Sequence, residues 1–166
     1  MYNNPVPITS AHDVRTFDCG NAALNEFLVK YAIGNAAAGL ARTFVTTIEG
    51  QPTVIGYFSI AAGSVERAIV TERVAKGTPN PDIPVILLAR LAVDSKYPGQ
   101  KIGEGLLKTA LIKVLEASGI IGVRAVLVHA KNQKAADFYS KYGFIPSPAN
   151  SFHLMLILKD LKKAVV

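Results

Sequence analysis

The sequence contains a single cysteine, Cys19, among its 166 residues. One thiol cannot form a disulfide within the chain, so a scaffold held by internal disulfides is excluded. No cysteine-histidine pattern with the spacing of a zinc site surrounds Cys19. We interpret Cys19 as a structural thiol and predict no resident metal.

The sequence also lacks an uninterrupted apolar run of about 18 residues, the length that a membrane-spanning helix needs. Its richest apolar segment, residues 83–93, is broken by Pro84 and Arg90. The N-terminal MYNNPVPITS has neither the basic start nor the apolar core that is typical of a signal peptide. These absences predict a cytoplasmic protein that does not contact a membrane.

Half of the residues are hydrophobic, which is enough apolar material for one well-cored domain of 166 residues. PVPIT is typical of a short strand, and a helix is predicted from about Asn21 to the middle thirties. RTFVTTIEGQPTVIGYFSI predicts a β-hairpin, and residues 63–82 are interpreted as a surface loop with at most a short helix. We predict a single domain over residues 1–166.

The second half of the chain shows strand and helix patterns as well. IPVILLARLAVD predicts a central strand buried on both faces, and a helix is expected from near Ile102 to Ser118, where Gly119 stops it. VRAVLVHA predicts a strand, NQKAADFYSKYGF a short helix that Asn132 can cap, and SFHLMLILKDL a last strand. This order predicts an α/β (α+β mixed) fold class with helices on a mixed sheet.

The basic charge is concentrated in the second half of the chain. Residues 1–89 contain 6 Lys/Arg and 7 Asp/Glu, a net charge of −1, whereas residues 90–166 contain 12 and 5, a net charge of +7. A positive field of this kind favours a polyphosphate cofactor or a nucleic acid as partner. An ordinary basic surface is the alternative interpretation.

The stretch YPGQKIGEGLL, Tyr97–Leu107, joins the central strand to the next helix. Free N–H groups at a helix N-terminus attract anions, and Gly103 and Gly105 carry no Cβ atoms that would keep a pyrophosphate from the backbone. Lys101 adds a cation beside them. The spacing fits neither the Walker pattern nor the dinucleotide pattern. By itself the stretch is compatible with a phosphate site or with a plain turn.

The loop matches the Gln/Arg-x-x-Gly-x-Gly/Ala signature of the GNAT superfamily of N-acetyltransferases. The matching residues are Gln100, Lys101, Ile102, Gly103, Glu104 and Gly105. AADFYSKYGF, Ala135–Phe144, resembles the family's C-terminal signature, whereas Lys101 stands where the family commonly has glycine. The resemblance implies the GNAT fold, a central mixed and mostly antiparallel β-sheet flanked by about four helices.

The segments FDCGNAALNEFL, ARTFV, GYFSI, LARLAVD and FYSKYGF resemble the GNAT-type toxins of toxin-antitoxin modules. The resemblance implies a toxin that transfers an acetyl group from acetyl-CoA to the α-amine of aminoacyl-tRNA and so blocks translation. It also implies a ribbon-helix-helix antitoxin and a homodimer. The alternatives are a GNAT acetyltransferase for a small amine or a protein N-terminus, and a catalytically silent acyl-CoA-binding module.

By the family's pattern, the main-chain groups of Gln100–Gly105 would hold the pyrophosphate of CoA. The backbone at the end of the preceding strand would pair with the pantetheine arm, through Leu91, Ala92 and Val93. Asn132 either bonds the pantetheine or only caps its helix. Phe138 is either a cofactor contact or a core residue.

Tyr139 occupies the family's position for the general acid. Attack of an amine on a thioester expels a thiolate, and protonation helps this leaving group because a thiol pKa is roughly 8.5. The alternative is an aromatic side chain packed beside Phe138. An α-amine, with a pKa of about 8, loses its proton more easily than lysine at about 10.4, and no residue is marked as an obvious base. This absence favours an α-amine as the acceptor.

Contacts between basic side chains and phosphates would provide most of the affinity for tRNA. The candidates for such contacts are Lys30, Arg73, Lys76 and Arg90. Arg90 lies inside an apolar strand, so it must either find an ionic partner or face the binding cleft. The alternative for the other three is a solvated surface charge.

Overall fold

The computed structural model describes residues 1–79 and 82–164. No helix among these residues is both long and apolar enough to cross a membrane. In chain order the elements are β1 (Val6–Pro7), α1 (Ala22–Glu26), a π-helical turn (Phe27–Tyr31), α2 (Ala32–Ala37), β2 (Arg42–Thr47), β3 (Val54–Glu66), a 3-10 turn (Arg67–Ile69), α3 (Glu72–Ala75), β4 (Asp82–Val93), α4 (Ile102–Ser118), β5 (Ala125–His129), α5 (Gln133–Ser140), β6 (Ile145–Pro146), β7 (His153–Ile157) and α6 (Leu158–Ala164).

The strands of the described residues form a seven-stranded sheet in the order β1-β2-β3-β4-β5-β7-β6. The pairs β1/β2, β2/β3, β5/β7 and β6/β7 are antiparallel, and β4 pairs with β5 in parallel. A mixed, mostly antiparallel sheet whose strands alternate with helices along the chain confirms the predicted α/β fold class.

The chain divides into two compact units. Unit 1 comprises Met1–Ala61 and Ala89–Ala110, and unit 2 comprises Ala62–Leu88 and Leu111–Val166. Each unit has a cluster of buried apolar residues of its own. The single acetyltransferase domain over residues 1–166 stays a prediction.

The first helical segment of unit 1 begins at a side-chain cap. Asn21 Oδ1 accepts a hydrogen bond of 3.1 Å from Leu24 N, which satisfies one of the free N–H groups of the first turn. The helix then passes through the π-helical turn into α2 and ends at Ala37, which confirms the predicted helix. The core of unit 1 contains Phe17, Phe27, Leu28, Ala32, Val45, Val54, Tyr57 and Ala92.

The predicted hairpin is the antiparallel pair β2/β3, with Val45 opposite Tyr57. In unit 2, β5 lies between β4 and β7: Ala125 is opposite Val85 on one side and opposite Ile157 on the other. Both neighbours supply apolar side chains, as the continuous hydrophobic patterns of these strands predict. The core of unit 2 contains Val70, Val74, Ile83, Val85, Ala125, Leu127 and Met155.

Residues 63–82 differ from the predicted surface loop. β3 continues into this stretch and α3 is the short helix, but Val70 and Val74 are only 5% and 2% exposed. Arg124 holds α3 in place, because its guanidinium donates hydrogen bonds of 2.9 Å to the carbonyls of Val74 and Lys76. The loop prediction was wrong here because two valines four residues apart fill the core of unit 2. Residues 80 and 81 lie outside the described residues.

Candidate active site

The end of β4 in unit 1 presents the three residues that the sequence assigns to the pantetheine arm. Ala92 is buried, and Leu91 and Val93 are half-buried. The next residue, Asp94, has a side chain that is only 2% exposed and that accepts hydrogen bonds from Asp18 N at 3.1 Å and from Lys96 Nζ at 2.9 Å. The buried Asp94 carboxylate therefore hydrogen-bonds the end of β4 to its surroundings, a role that the sequence-based prediction did not identify.

The loop between β4 and α4 turns through two residues with left-handed backbone, Gly99 at φ 72° and Lys101 at φ 57°. Lys101 O accepts a hydrogen bond of 3.1 Å from Gly105 N, so the first turn of α4 starts here. The N–H groups just after Lys101 have no earlier carbonyl of the helix to bond. A left-handed residue followed by such N–H groups forms an anion-binding nest.

The side chains of the loop agree with main-chain binding of an anion. Gln100 and Lys101 are exposed, whereas the Ile102 side chain is 2% exposed and packs in the core. The expected role of Gly105 differs, because a Cβ atom there would lie 3.4 Å from the Tyr2 hydroxyl: the space that this glycine leaves is occupied by Tyr2 and is not open to a pyrophosphate. The loop therefore offers backbone donors and one cation to an anion.

Helix α5 in unit 2 carries the other predicted residues. Asn132 Oδ1 accepts a hydrogen bond of 2.9 Å from Ala135 N and thus caps the helix, as one of the two interpretations of this residue requires. The ring of Phe138 is half-buried and meets the rings of Tyr139 and Tyr142 edge-on, with centroids 5.2 and 5.3 Å apart. Helix capping and aromatic packing thus hold α5 in its place.

Tyr139 is 6% exposed, and its ring lies edge-on to Phe138 and to Phe144. Burial raises the pKa of the Tyr139 hydroxyl above its usual value, so the group stays protonated at neutral pH. Within residues 1–79 and 82–164, no group accepts or donates a hydrogen bond at this hydroxyl. Unit 2 thus holds a protonated hydroxyl whose proton is available to a bound molecule.

Two histidines face each other on β5 and β7 of unit 2. His129 lies opposite His153, and their rings stack with centroids 4.0 Å apart. Burial and the neighbouring His153 lower the pKa of His129, which favours its neutral form at pH 7. His129 nevertheless stays exposed at the end of β5.

The structure separates the four basic candidates by their contacts. Arg73 forms an ion pair with Asp160, and Lys30 Nζ lies 3.8 Å from a Glu26 carboxylate oxygen. In the described part of the chain, Arg90 has no carboxylate partner; its guanidinium carbon lies 3.6 Å from the centroid of the Phe27 ring. Lys76 is exposed in the turn after α3.

Three further lysines surround α5 and were missed by the sequence-based prediction. The α5 lysines, Lys131, Lys134 and Lys141, are exposed, and no carboxylate in the described residues pairs with any of them. Lys134 and Lys141 are seven residues apart, with Phe138 between them on the same side of the helix. Lys141 lies within the AADFYSKYGF signature and Lys131 and Lys134 lie just before it, so their closeness to this signature was the signal that could have found them.

Comparison with known proteins assigns the chain to a family. Residues 39–146 match the acetyltransferase (GNAT) domain family. The chain belongs to the GNAT acetyltransferases. The match covers both the Gln100–Gly105 signature and Tyr139, so this acetyltransferase has its two recognised motifs inside the family domain.

Similar proteins include toxins that act on tRNA. A tRNA-acetylating toxin of Mycobacterium tuberculosis strain H37Rv is 41% identical over 164 residues, which are 99% of this chain and 97% of that protein. The structure of AtaT complexed with acetyl-methionyl-tRNAfMet is 29% identical and has a TM-score of 0.90, with 100% of both chains covered. A tyrosine-to-phenylalanine variant of AtaT, bound to the C-terminus of the antitoxin AtaR and acetyl-CoA, is 30% identical with a TM-score of 0.82, covering 98% of this chain and 97% of that one.

Proposed function

We propose that this acetyltransferase transfers the acetyl group of acetyl-CoA to the α-amino group of aminoacyl-tRNA and acts as a toxin by blocking translation. The 41% identity to a tRNA-acetylating toxin over nearly the whole chain supports this function. The structural observation that carries the proposal is the Tyr139 hydroxyl, which is protonated and has no hydrogen-bond partner in the described residues. Every fully enclosed side-chain polar atom in those residues has a partner, so this hydroxyl is open to a bound molecule although the ring is buried. Such a group is suited to give a proton to a leaving thiolate.

The backbone of Gln100–Gly105 fits the pyrophosphate of CoA. The left-handed Lys101 and the N–H groups that follow it provide the donors, and the exposed Lys101 ammonium adds a positive charge. The main chain of Leu91–Val93 would pair with the amides of the pantetheine arm. Asn132 and Phe138 would act from α5, Asn132 with its amide nitrogen and Phe138 with its half-buried ring.

Bound acetyl-CoA supplies an activated acetyl thioester. As the general acid, Tyr139 Oη would share its proton with the sulfur while the C–S bond breaks, and the proton that the attacking amine loses as the amide forms would end on that sulfur, giving free CoA. Because the pKa of Tyr139 is raised above that of a thiol, complete transfer to sulfur is uphill, and the hydroxyl acts chiefly by stabilising the developing negative charge. An α-amine with a pKa of about 8 is partly neutral at pH 7, so a weak base or water suffices to prepare it.

Lysines and arginines would bind the phosphates of tRNA. Arg90 and Lys76 stay candidates on their contacts, since no carboxylate in the described residues pairs with either side chain. Lys30 and Arg73 would first have to release Glu26 and Asp160. We add the α5 lysines, which flank the helix of the proposed acid and are free of such competition.

The protein partners and the compartment follow from the same proposal. A toxin of this kind would be held inactive by an antitoxin, and the AtaT variant bound to the C-terminus of AtaR supports this expectation. We propose a ribbon-helix-helix antitoxin, a homodimeric toxin and action in the cytoplasm, where charged tRNA is found. Size measurement of the purified chain, alone and with its antitoxin, tests these assignments.

Incubation with labelled acetyl-CoA tests the function directly. The acceptors would be total charged tRNA, deacylated tRNA, a small amine and an N-terminal peptide. We expect label only on charged tRNA, because only that molecule combines an α-amine with a polyanion. Label on the small amine or the peptide instead would replace tRNA as substrate, and no transfer despite binding of CoA would indicate a silent acyl-CoA-binding module.

A further inference from the structure

The first three residues form a clamp on the end of β2 in unit 1. Asn3 N donates a hydrogen bond of 2.9 Å to Thr47 O, and Glu49 N donates one of 3.0 Å to Met1 O. The Asn3 side-chain amide adds a bond of 2.9 Å to Thr47 Oγ1, and Thr46 Oγ1 donates to Asn3 O. Bonds on both sides of Tyr2 therefore fix its backbone, and its side chain starts from a defined position.

The Tyr2 side chain reaches the start of α4. Its hydroxyl lies 3.5 Å from Lys101 O, at the long end of hydrogen-bond distances. A Cβ atom at Gly105 would be 3.4 Å from the same hydroxyl and 3.9 Å from Tyr2 Cε2. Glycine at position 105 thus leaves room for the tyrosine ring beside the first turn of the helix.

The contact lies at the one described non-glycine residue with a left-handed backbone, Lys101. That conformation is unfavourable for a residue with a Cβ atom, so the surrounding structure must hold it. The Lys101 carbonyl already accepts the bond from Gly105 N, and the Tyr2 hydroxyl supplies a donor for its second lone pair. Tyr2 and the first turn of α4 together hold the carbonyl in this orientation.

We infer that Tyr2 is a positioning residue for the pyrophosphate-binding loop, acting through Lys101 O to hold the backbone donors of Gln100–Gly105 toward the cofactor. The inference rests on the proposed role of this loop. It assigns to the N-terminal clamp a part in binding the nucleotide end of acetyl-CoA. Tyr2 takes no part in the chemical step.

The first test is Tyr2→Phe, with calorimetric affinity for CoA and steady-state kinetics for acetyl-CoA. Loss of one weak hydrogen bond should weaken CoA binding about three- to ten-fold and raise KM, while kcat stays within two-fold. Acetyl-pantetheine, which lacks the pyrophosphate, should show no difference between variant and wild type. Tyr31→Phe is the matched control, since this exposed hydroxyl also makes one 3.5 Å bond, to Glu26.

A double-mutant cycle with Lys101→Gly tests the route of the effect. Glycine adopts the left-handed backbone without strain, so the loop should need less support from Tyr2. We expect Tyr2→Phe to weaken CoA binding by less than two-fold in the Lys101→Gly background. An equal loss in both backgrounds would contradict a role through the Lys101 backbone.

Equal CoA affinity of wild type and Tyr2→Phe would overturn the inference and leave the proposed function intact. A loss that acetyl-pantetheine shows equally would also overturn it, because a general structural defect does not depend on the pyrophosphate. Failure of the proposed loop itself would look different. In that case Gly103→Val would leave CoA affinity unchanged in a folded protein.

Discussion

The two buried tyrosines, Tyr57 in unit 1 and Tyr139 in unit 2, have the same protonation but opposite hydrogen bonding. Burial raises the pKa of each hydroxyl above its usual value. Tyr57 donates its proton in a 2.8 Å bond to Leu24 O, whereas the Tyr139 hydroxyl has no partner in the described residues. The Tyr57 hydroxyl thus holds elements of unit 1 together, whereas the Tyr139 hydroxyl is free for the catalytic role that we propose.

The surroundings explain this difference. The Tyr57 ring stacks on Phe27 and meets Phe17 edge-on, and the bond to Leu24 O joins β3 to α1. Buried polar groups are normally hydrogen-bonded, and Tyr57 follows this rule. Every fully enclosed side-chain polar atom in the described residues has a partner, so the unbonded Tyr139 hydroxyl is open to solvent or to a bound molecule. A protonated, accessible and unbonded hydroxyl within a family signature supports the catalytic role that we propose for Tyr139.

Tyr139→Phe gives the largest expected effect. We expect turnover on charged tRNA to fall on the order of 10² to 10⁴-fold while CoA affinity barely changes, because the hydroxyl acts only on the leaving thiolate. Single-turnover assays and calorimetry measure the two quantities. Undiminished turnover would show that the Tyr139 hydroxyl takes no part in the mechanism. The proposed functional difference between Tyr139 and Tyr57 would then be wrong.

Charge reversal next to Tyr139 should have the second largest effect. Lys134→Glu with Lys141→Glu should weaken tRNA binding about ten-fold or more at low salt and reduce the salt dependence of the affinity, because phosphate contacts release counterions. Lys162→Glu with Lys163→Glu, on the exposed end of α6, changes charge equally and is the control. Equal losses of tRNA affinity in both double variants would show that the α5 lysines act only through the net charge of the protein and not through a specific tRNA contact.

Tyr57→Phe should show the reverse pattern of Tyr139→Phe. Loss of the bond removes the side-chain donor of Leu24 O, which keeps the Phe27 N–H, so we expect the free energy of unfolding to fall by about 1 kcal/mol. Turnover should stay within two-fold. Urea unfolding followed by circular dichroism measures the stability, and Tyr139→Phe should lose less because it breaks no bond in the described structure.

The pH dependence should reflect the raised pKa of each tyrosine. Folded-state pKa values above the unfolded value of about 10 mean that both neutral hydroxyls stabilise the fold below pH ~10 and lose this contribution as the pH rises toward the folded values. The Tyr139 hydroxyl should therefore stay protonated up to about pH 10, and its ionisation should not lower kcat below that pH. An alkaline limb in kcat near pH 8, shared by Tyr139→Phe, would assign that limb to another group.

The smallest expected effect concerns the strained loop residue. Lys101→Gly should raise the free energy of unfolding by up to about 1 kcal/mol relative to Lys101→Ala, because both remove the ammonium and only glycine relieves the left-handed backbone. Urea midpoints of the two variants provide the measurement. A more stable alanine variant would show that the loop relaxes to another conformation.

Much of the fold could be predicted because its signals are local. The predicted helix Ile102–Ser118 agrees with α4 at both ends, and Asn132 caps α5 through a residue three positions away. α6 was not predicted, because Leu158 closes an apolar run that reads as one long strand. Residues 63–82 were misassigned because burial of Val70 and Val74 depends on unit 2, which short-range periodicity does not contain.

The sequence by itself determined the strand-turn-helix order, the family signature and the identity of Tyr139, since each depends on neighbours within a few residues. Only the tertiary structure decided which hydroxyls and cations have partners. Arg73 meets Asp160 across 87 positions, and Tyr2 meets Lys101 across 99. Partners so far apart in the chain leave no periodic signal, because the folded backbone alone brings them together.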